Sequence, residues 1–225
     1  VGIGNVADSL FMIKHLVFDK KICTARELYD ALINNWEGYE DLHNYIKNEA
    51  PRYGNAIKEV DQYARWAADV FANAVNSCTG PRGRFSAGLY PVTTNVVFGK
   101  MTAATPDGRY AGEPLADGIS PVQQMDKKGP TAILVSVSNI DQSKFPNGTL
   151  LNMKFHPTAL QGEEGVTKLS NLIQTYFDMG GMEVQINVIS AETLRDAQKN
   201  PDKYKNLIVR VAGFSAYFVE LHIDG

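Results

Sequence analysis

The last third of the chain alternates between strand-like and helix-like segments. Residues 184–188 alternate apolar and polar side chains, as a half-buried strand does. Ser190 then caps a helix that stops before Pro201, and residues 207–211 form the next β-type run. Two strands that are joined by one helix favour a parallel pair with a right-handed crossover. We therefore predict a β-α-β unit that ends just before Gly213.

The same alternation begins earlier in the chain. Pro130 stands at a first helical position and opens a helix over residues 131–140. A short strand over 150–155 and an amphipathic helix over 163–178 follow. The aromatic-rich segment at 214–221 looks like the start of a further helix. The fold class predicted for this part of the chain is α/β.

The first third of the sequence predicts helices. Apolar residues recur at helical spacing over 6–18, and further helices are expected from Thr24, over 40–47 and over 55–76. Glu27 stands three residues after Thr24, which is the pattern of a capping box. The longest helix carries an apolar stripe that we expect to face the core: Val60, Tyr63, Ala64, Ala67, Val70, Phe71, Ala74 and Val75.

A breaker-rich connection at 79–83 separates the two parts. After it, residues 84–98 are rich in β-branched and aromatic side chains and predict one or two extended segments. Residues 99–118 are mostly loop, with a turn at 105–108. We therefore divide the chain into a helical segment over 1–80 and a C-terminal α/β portion over 81–225.

Composition excludes several classes of protein. The 225 residues include 22 basic and 25 acidic ones, and the basic ones are scattered, which argues against a nucleic-acid partner. No stretch is long and apolar enough to span a membrane, so no membrane partner is expected. Cys23 and Cys78 lie far apart with no histidine at metal spacing, so we expect no metal site and a reducing, cytoplasmic compartment. The N-terminus lacks an initiator methionine and signal-peptide features, which suggests an internal cut.

Gly213 is the residue for which the sequence leaves the most alternatives open. A glycine is needed where φ is positive or where another group approaches closely. A glycyl Cα can also lose a hydrogen atom and delocalise the unpaired electron over both flanking amides. The local sequence favours a simple bend. His15 and His43 have no partner at metal or triad spacing, and an ordinary structural role is expected for them. For His156, which precedes Pro157, a catalytic role stays open, although a structural role is favoured.

Five motifs stand in an order and spacing that resemble the C-terminal part of the glycyl radical enzymes, in the pyruvate formate-lyase superfamily. They are GLYPVT at 88–93, TPDGR at 105–109, SPVQ at 120–123, NGTLLN at 147–152 and RVAGFSA at 210–216. The segment at 89–93 resembles the dehydratase and lyase branch, which includes B12-independent glycerol and propanediol dehydratases. The resemblance extends through nearly the whole chain, and it reverses the preference for a simple bend at Gly213.

The resemblance implies a fold and a chemistry. The fold is a barrel of two five-stranded half-barrels wrapped by helices, of which this chain is the C-terminal portion. Gly213 matches the glycine from which a radical S-adenosylmethionine activase, an iron–sulfur protein, removes a hydrogen atom. The cofactor is then a protein-derived glycyl radical, and no other cofactor is bound. Because this radical reacts with oxygen, Gly213 is expected to be buried.

The resemblance also implies site residues. Tyr90, Val92 and Thr93 match a substrate-lining segment, and Tyr90 either donates a hydrogen bond to a substrate hydroxyl or packs its ring in the core. The branch carries its thiyl cysteine in a Gly-Cys-x-Glu loop, which neither Cys23 nor Cys78 matches. Both cysteines are interpreted as structural. The thiyl loop would lie upstream, so the chain alone should have no turnover; the family also continues beyond residue 225.

The leading hypothesis is the C-terminal fragment of an anaerobic glycyl radical enzyme. It would eliminate water or another leaving group from a small polar, diol-like substrate, with an activase and a second copy of the enzyme as partners. Formate C-acetyltransferase activity is less favoured. Two alternatives stay open: a stand-alone subunit that supplies Gly213 to a pyruvate formate-lyase-like partner, and a non-catalytic α/β module.

Overall fold

The computed structural model describes residues 1–91, 93–211 and 213–221. Its first part is helical, as predicted. Helix α1 (Ile3–Ile13) and helix α4 (Lys58–Ser77) pack against each other and form the centre of this part. The bounds are α1 Ile3–Ile13, which continues as a π-helix over Lys14–Asp19, α2 Ala25–Ile33, α3 Glu40–Asn48 and α4 Lys58–Ser77.

The capping box predicted for α2 is confirmed. The Thr24 hydroxyl accepts a hydrogen bond from the Glu27 backbone N–H at 3.1 Å, and the Thr24 backbone N–H donates to Glu27 Oε2 at 2.7 Å. Two amide donors that the helix itself leaves unpaired are satisfied in this way. The helix therefore begins where the sequence pattern predicts.

The buried face of α4 differs in part from the predicted stripe. Val60 and Ala64 are buried as expected, whereas Val70 and Phe71 are 49% and 42% exposed. The face that packs inward is a row with a spacing of four residues: Val60, Ala64, Ala68 and Ala72. The small alanine side chains let α4 lie close to its neighbour, so this row takes the core face and the larger side chains turn outward.

The prediction of extended structure over 84–98 is wrong for most of its length. A short antiparallel hairpin pairs β1 (Thr79–Gly80) with β2 (Gly83–Arg84), and Thr94–Lys100 form helix α5. The Pro91 carbonyl accepts from both the backbone N–H and the hydroxyl of Thr94, which starts a helical turn. Local bonding and packing override the β-propensity of this segment.

A β-α-β unit is present, one step earlier in the chain than predicted. Strand β3 (Leu151–Phe155) pairs in parallel with β4 (Val184–Val188), with Leu151 opposite Val184 and Phe155 opposite Val188. Helix α7 (Gly162–Asp178) connects them, and helix α6 (Pro130–Val137) precedes the unit. The bounds of β4 agree with the sequence prediction.

The predicted parallel pairing of 184–188 with 207–211 is wrong. After β4, helix α8 (Ala191–Lys199) follows the Ser190 cap as expected, but β5 (Ile208–Arg210) pairs antiparallel with β6 (Ser215–Tyr217). The segment after Gly213 is therefore a strand and then a 3-10 turn over Phe218–Glu220, and not a helix. The side-chain amide of Asn187 on β4, rather than the β4 backbone, is hydrogen-bonded to β5.

One hydrophobic core connects the helical part to the C-terminal part. The Tyr53 hydroxyl donates to the Ile119 carbonyl at 3.0 Å, and Trp36 Nε1 donates to the Arg109 carbonyl at 3.3 Å. Large side chains that are fully buried include Trp36, Tyr53, Phe145, Leu151 and Tyr176. Within the residues that the structure describes, no helix has the length and apolar character needed to cross a bilayer.

Candidate functional site

Gly213 lies in the turn of the hairpin that β5 and β6 form, which we call the glycine hairpin. Its φ of 87° is in the left-handed region, where an L side chain is strained. The Val211 N–H closes the turn by donating to the Phe214 carbonyl at 2.9 Å. A Cβ added at Gly213 would meet no atom within 4 Å, so backbone conformation and not space calls for glycine here. Gly213 is exposed in this chain, contrary to the expectation of burial.

The glycine hairpin is held to β4 by two side chains. Asn187 Nδ2 donates to the Arg210 carbonyl at 2.7 Å, and Asn187 Oδ1 accepts from the Arg210 N–H at 2.8 Å. Gln185 Oε1 accepts from the Gly213 N–H at 3.2 Å. Residues 185 and 187 are two positions apart on a strand, so they project from the same face. These two amides are the contacts that fix the loop.

The Gln185 amide is itself held in place. Its Nε2 donates to Glu183 Oε1 at 2.8 Å, and the side chain is only 5% exposed. The backbone of β4 is in turn paired with β3 over its whole length. Sequence reasoning interpreted Gln185 and Asn187 only as the polar positions of a half-buried strand. Two amide side chains on one strand face, near a motif glycine, are the signal that would have found them.

A cavity of about 260 Å³ adjoins the glycine hairpin. Its wall combines segments that are distant in sequence: Thr93, Asn152, Lys154, Asn187, Arg210 and Val211. Asn152 Nδ2 donates to Asp117 Oδ2 at 3.0 Å, while the Oδ1 atoms of both residues are buried and have no hydrogen-bond partner in the described part of the chain. The polar side chains on this wall, Thr93, Asn152 and Lys154 among them, are suited to binding a ligand that has hydroxyl groups.

Two of the predicted substrate-lining residues, Tyr90 and Thr93, lie in different places. Thr93 borders this cavity, beside the glycine hairpin. Tyr90 does not line it; its side chain is 40% exposed, and its hydroxyl accepts from Asn147 Nδ2 at 2.7 Å. Val92 lies outside the described residues. The structure therefore brings Thr93 to the hairpin and leaves Tyr90 apart from the cavity.

Cys23, Cys78, His15, His43 and His156 do not line this cavity. The Cys78 thiol is exposed and donates to the Ala74 carbonyl, and burial raises the pKa of the half-buried Cys23 thiol. His15 bonds the Tyr45 hydroxyl and His43 the Gly108 carbonyl, each at 2.8 Å. Across 1–91, 93–211 and 213–221, no group of three His, Cys, Asp or Glu side chains could hold a metal ion.

Comparison with known proteins gives two family matches that together span most of the chain. The family described as "Pyruvate formate lyase-like" matches residues 1–99, and the family described as "Glycine radical" matches residues 115–219. The second match contains the glycine hairpin and all of β3 and β4.

Individual relatives agree with the family matches. The chain is 41% identical to a trans-4-hydroxy-L-proline dehydratase of Clostridioides difficile and 44% identical to an isethionate sulfite-lyase of Bilophila wadsworthia, matching over 98% and 100% of its length. It superposes on the glycerol-bound B12-independent glycerol dehydratase of Clostridium butyricum with a TM-score of 0.95 and 50% identity over 99% of the chain. It spans 27–28% of the length of these three proteins.

Proposed function

Because the chain belongs to the glycyl radical enzymes, we propose that it is the radical-bearing C-terminal portion of a dehydratase or lyase of that family. The observation that carries the proposal is the glycine hairpin: Gly213 lies in a tight turn at positive φ, within the stretch that matches the glycine radical family. The match of residues 1–99 to pyruvate formate lyase-like proteins argues against a stand-alone subunit that supplies Gly213 alone.

The proposed reaction is a sequence of four hydrogen-atom transfers. The activase removes one hydrogen atom from the Gly213 Cα, and the unpaired electron is delocalised over the adjoining peptide groups. Gly213 then takes a hydrogen atom from a cysteine thiol of the full-length enzyme, and the resulting thiyl takes one from a substrate carbon. Water or another group leaves the neighbouring carbon, and the thiol returns its hydrogen to the product radical. The protein's own contribution is to position these groups and to exclude competing reactions.

The substrate is proposed to be small and polar. Tyr90, Val92 and Thr93 are proposed as its contacts, and the position of Thr93 on the cavity beside the glycine hairpin supports this for one of the three. The relatives named above act on hydroxyproline, isethionate and, for the glycerol-bound structure, glycerol. A diol-like substrate would hydrogen-bond to polar side chains on the cavity wall, such as Thr93, Asn152 and Lys154.

Several features are proposed for the full-length protein. Segments outside this chain are proposed to cover Gly213, which is exposed here, and to carry the thiyl cysteine. A radical S-adenosylmethionine activase, a homodimer and a cytoplasmic location complete the proposal. The boundary between residues 80 and 81 stays a prediction.

Electron paramagnetic resonance tests the radical directly. The full-length protein is incubated anaerobically with its activase and S-adenosylmethionine, beside a Gly213→Ala control. We expect a doublet, because the one remaining α-hydrogen splits the signal, and we expect no such signal in the control. An added Cβ meets open space, so the control loses only about 1–2 kcal/mol to backbone strain and should fold. Absence of the signal with an activase proven active would refute the proposal.

A further inference from the structure

We infer that Gln185 and Asn187 are positioning residues for the radical at Gly213, an inference that rests on the proposed function. Neither side chain exchanges atoms with the substrate or the radical. Their role is to fix where the Gly213 peptide lies and how it is oriented, through hydrogen bonds to the backbone of the glycine hairpin.

Asn187 sets the position of the hairpin. In a regular ladder, one strand residue exchanges N–H and C=O bonds with its neighbour. Here the Asn187 amide does the same with Arg210, at 2.8 Å and 2.7 Å, and no ladder joins β4 to β5 in the described residues. Loss of this one side chain therefore removes both bonds at once. The hairpin strands would still pair with each other.

Gln185 sets the environment of the radical itself. Its Oε1 accepts from the Gly213 N–H, and the Gly213 nitrogen is one of the atoms over which the unpaired electron spreads. An acceptor on this N–H raises electron density at nitrogen and so strengthens its donation to the radical carbon. The bond also restrains rotation of the peptide plane, on which the delocalisation depends.

The partner of Gln185 makes this acceptor a fixed one. Glu183 Oε1 accepts from Gln185 Nε2 at 2.8 Å, so the amide oxygen is turned towards Gly213. Gln185 is almost fully buried, so its side chain is held in one orientation. A variant without the amide would leave the Gly213 N–H with a weaker or more variable partner.

The test uses the full-length protein and three variants. Gln185→Leu removes the acceptor at similar volume. The double variant Glu183→Gln/Gln185→Glu keeps an oxygen for Gly213 and restores a donor–acceptor pair. Gln174→Leu is the control, because Gln174 is exposed and its one side-chain bond, to Asp178 at 2.9 Å, does not involve the hairpin. After activation, electron–nuclear double resonance measures the coupling to 15N at Gly213.

For Gln185→Leu we expect a changed nitrogen coupling and a lower radical yield, with a melting temperature close to that of Gln174→Leu. The double variant should return the coupling towards that of the wild type. In the unactivated protein, hydrogen exchange of residues 210–217 should become about fivefold to tenfold faster in Gln185→Leu, as expected for the loss of one hydrogen bond. If Gln185→Leu fails to fold, the double variant is compared with Glu183→Gln alone.

Two failures are distinguishable. A wild-type radical whose coupling, yield and exchange are the same in Gln185→Leu overturns the inference and leaves the proposed function standing. No radical in the wild type overturns the proposed function. In that case hydrogen exchange still tests the positioning role. Unchanged exchange in Gln185→Leu overturns that role, whereas faster exchange shows that Gln185 holds the loop that carries Gly213.

Discussion

Gly213 is tied to the rest of the molecule through its own backbone, by the hydrogen bond that its N–H donates to Gln185. A glycine motif located this residue from sequence, and its positive φ fits a simple bend as well as a radical store. The match to the glycine radical family favours the radical store, which stays a proposal for this residue. Gln185 and Asn187 escaped prediction because their function depends on which segment folds onto the strand face, and that is a tertiary property.

Tyr90 allows a test of the proposed substrate contacts at the scale of one atom. If its hydroxyl binds substrate, Tyr90→Phe should lower kcat/KM of the full-length enzyme about tenfold, and the glycyl radical signal should not change. The measurement is steady-state turnover of a diol, with the exposed Tyr29→Phe as the control. Unchanged kcat/KM would mean that the hydroxyl serves only as the acceptor for Asn147.

Asp61 is predicted to make stability depend on pH. It is 1% exposed on α4, and burial raises its pKa to about 6, against an opposing hydrogen bond from Ser136. Between about pH 4 and about pH 6 the folded state holds a proton that the unfolded state has lost, so the free energy of unfolding falls as pH rises.

Asp61→Asn should remove this dependence. The variant should match the wild type near pH 4 and be more stable near pH 7, by up to about 3 kcal/mol. Calorimetric melting at both pH values measures the difference, with the exposed Asp202→Asn as the control. A variant that is less stable than the wild type near pH 7 would show that the charged carboxylate is favourable in the folded protein.

At the scale of elements, capped helices were predictable and strand partners were not. Thr24 with Glu27, and Ser190 before α8, mark helix starts through bonds within four residues. The partner of β5 was mispredicted because Asn187 occupies the Arg210 backbone groups from a distance of 23 residues. Residues 84–98 were mispredicted because β-propensity reflects packing context, and the context of α5 is not that of a sheet.

A substitution at Gly118 tests whether the loop before β3 must lie close to Leu150. Its φ is 46°, and an added Cβ would overlap the Leu150 carbonyl oxygen, which also accepts from the Ile119 N–H. Gly118→Ala should therefore destabilise the protein by about 3 kcal/mol or more, through clash and strain together.

The matched control is Gly148→Ala, where φ is 98° but an added Cβ meets nothing within 4 Å. Strain alone should lower its stability by about 1–2 kcal/mol. Thermal unfolding compares the two variants, and hydrogen exchange in Leu151–Phe155 shows where the difference arises. Equal effects of the two substitutions would mean that the loop moves away and that the close approach is not required.

At the scale of the whole molecule, the α/β class and the family followed from the sequence, and the cavity did not. Five motifs in the expected order were enough to identify the family, because each motif is a short stretch of sequence that can be recognised without the fold. The cavity brings Thr93, Asn152 and Asn187 together from three separate segments, and only the folded chain shows that they meet.

Substitution of the two cysteines tests the proposal that the thiyl radical lies outside this chain. Neither Cys23 nor Cys78 lines the cavity beside the glycine hairpin. The double variant Cys23→Ala/Cys78→Ala of the full-length enzyme should keep its radical signal and turn over substrate within about twofold of the wild-type rate, as expected for substitutions away from the site. Loss of turnover with the radical retained would place the thiyl on one of these two residues.

The hairpin that carries Gly213 satisfies its own strand hydrogen bonds and docks through side chains that lie 23 and 28 residues earlier. Hairpins close within about 1–10 μs, and chains emerge from the ribosome from the N-terminus onwards. The strand β4, which carries the two side chains that bind the hairpin, and its partner β3 are therefore synthesised before the glycine. Because few hydrogen bonds join the glycine hairpin to β4, we expect the hairpin to be among the first parts of the protein to open in a local fluctuation.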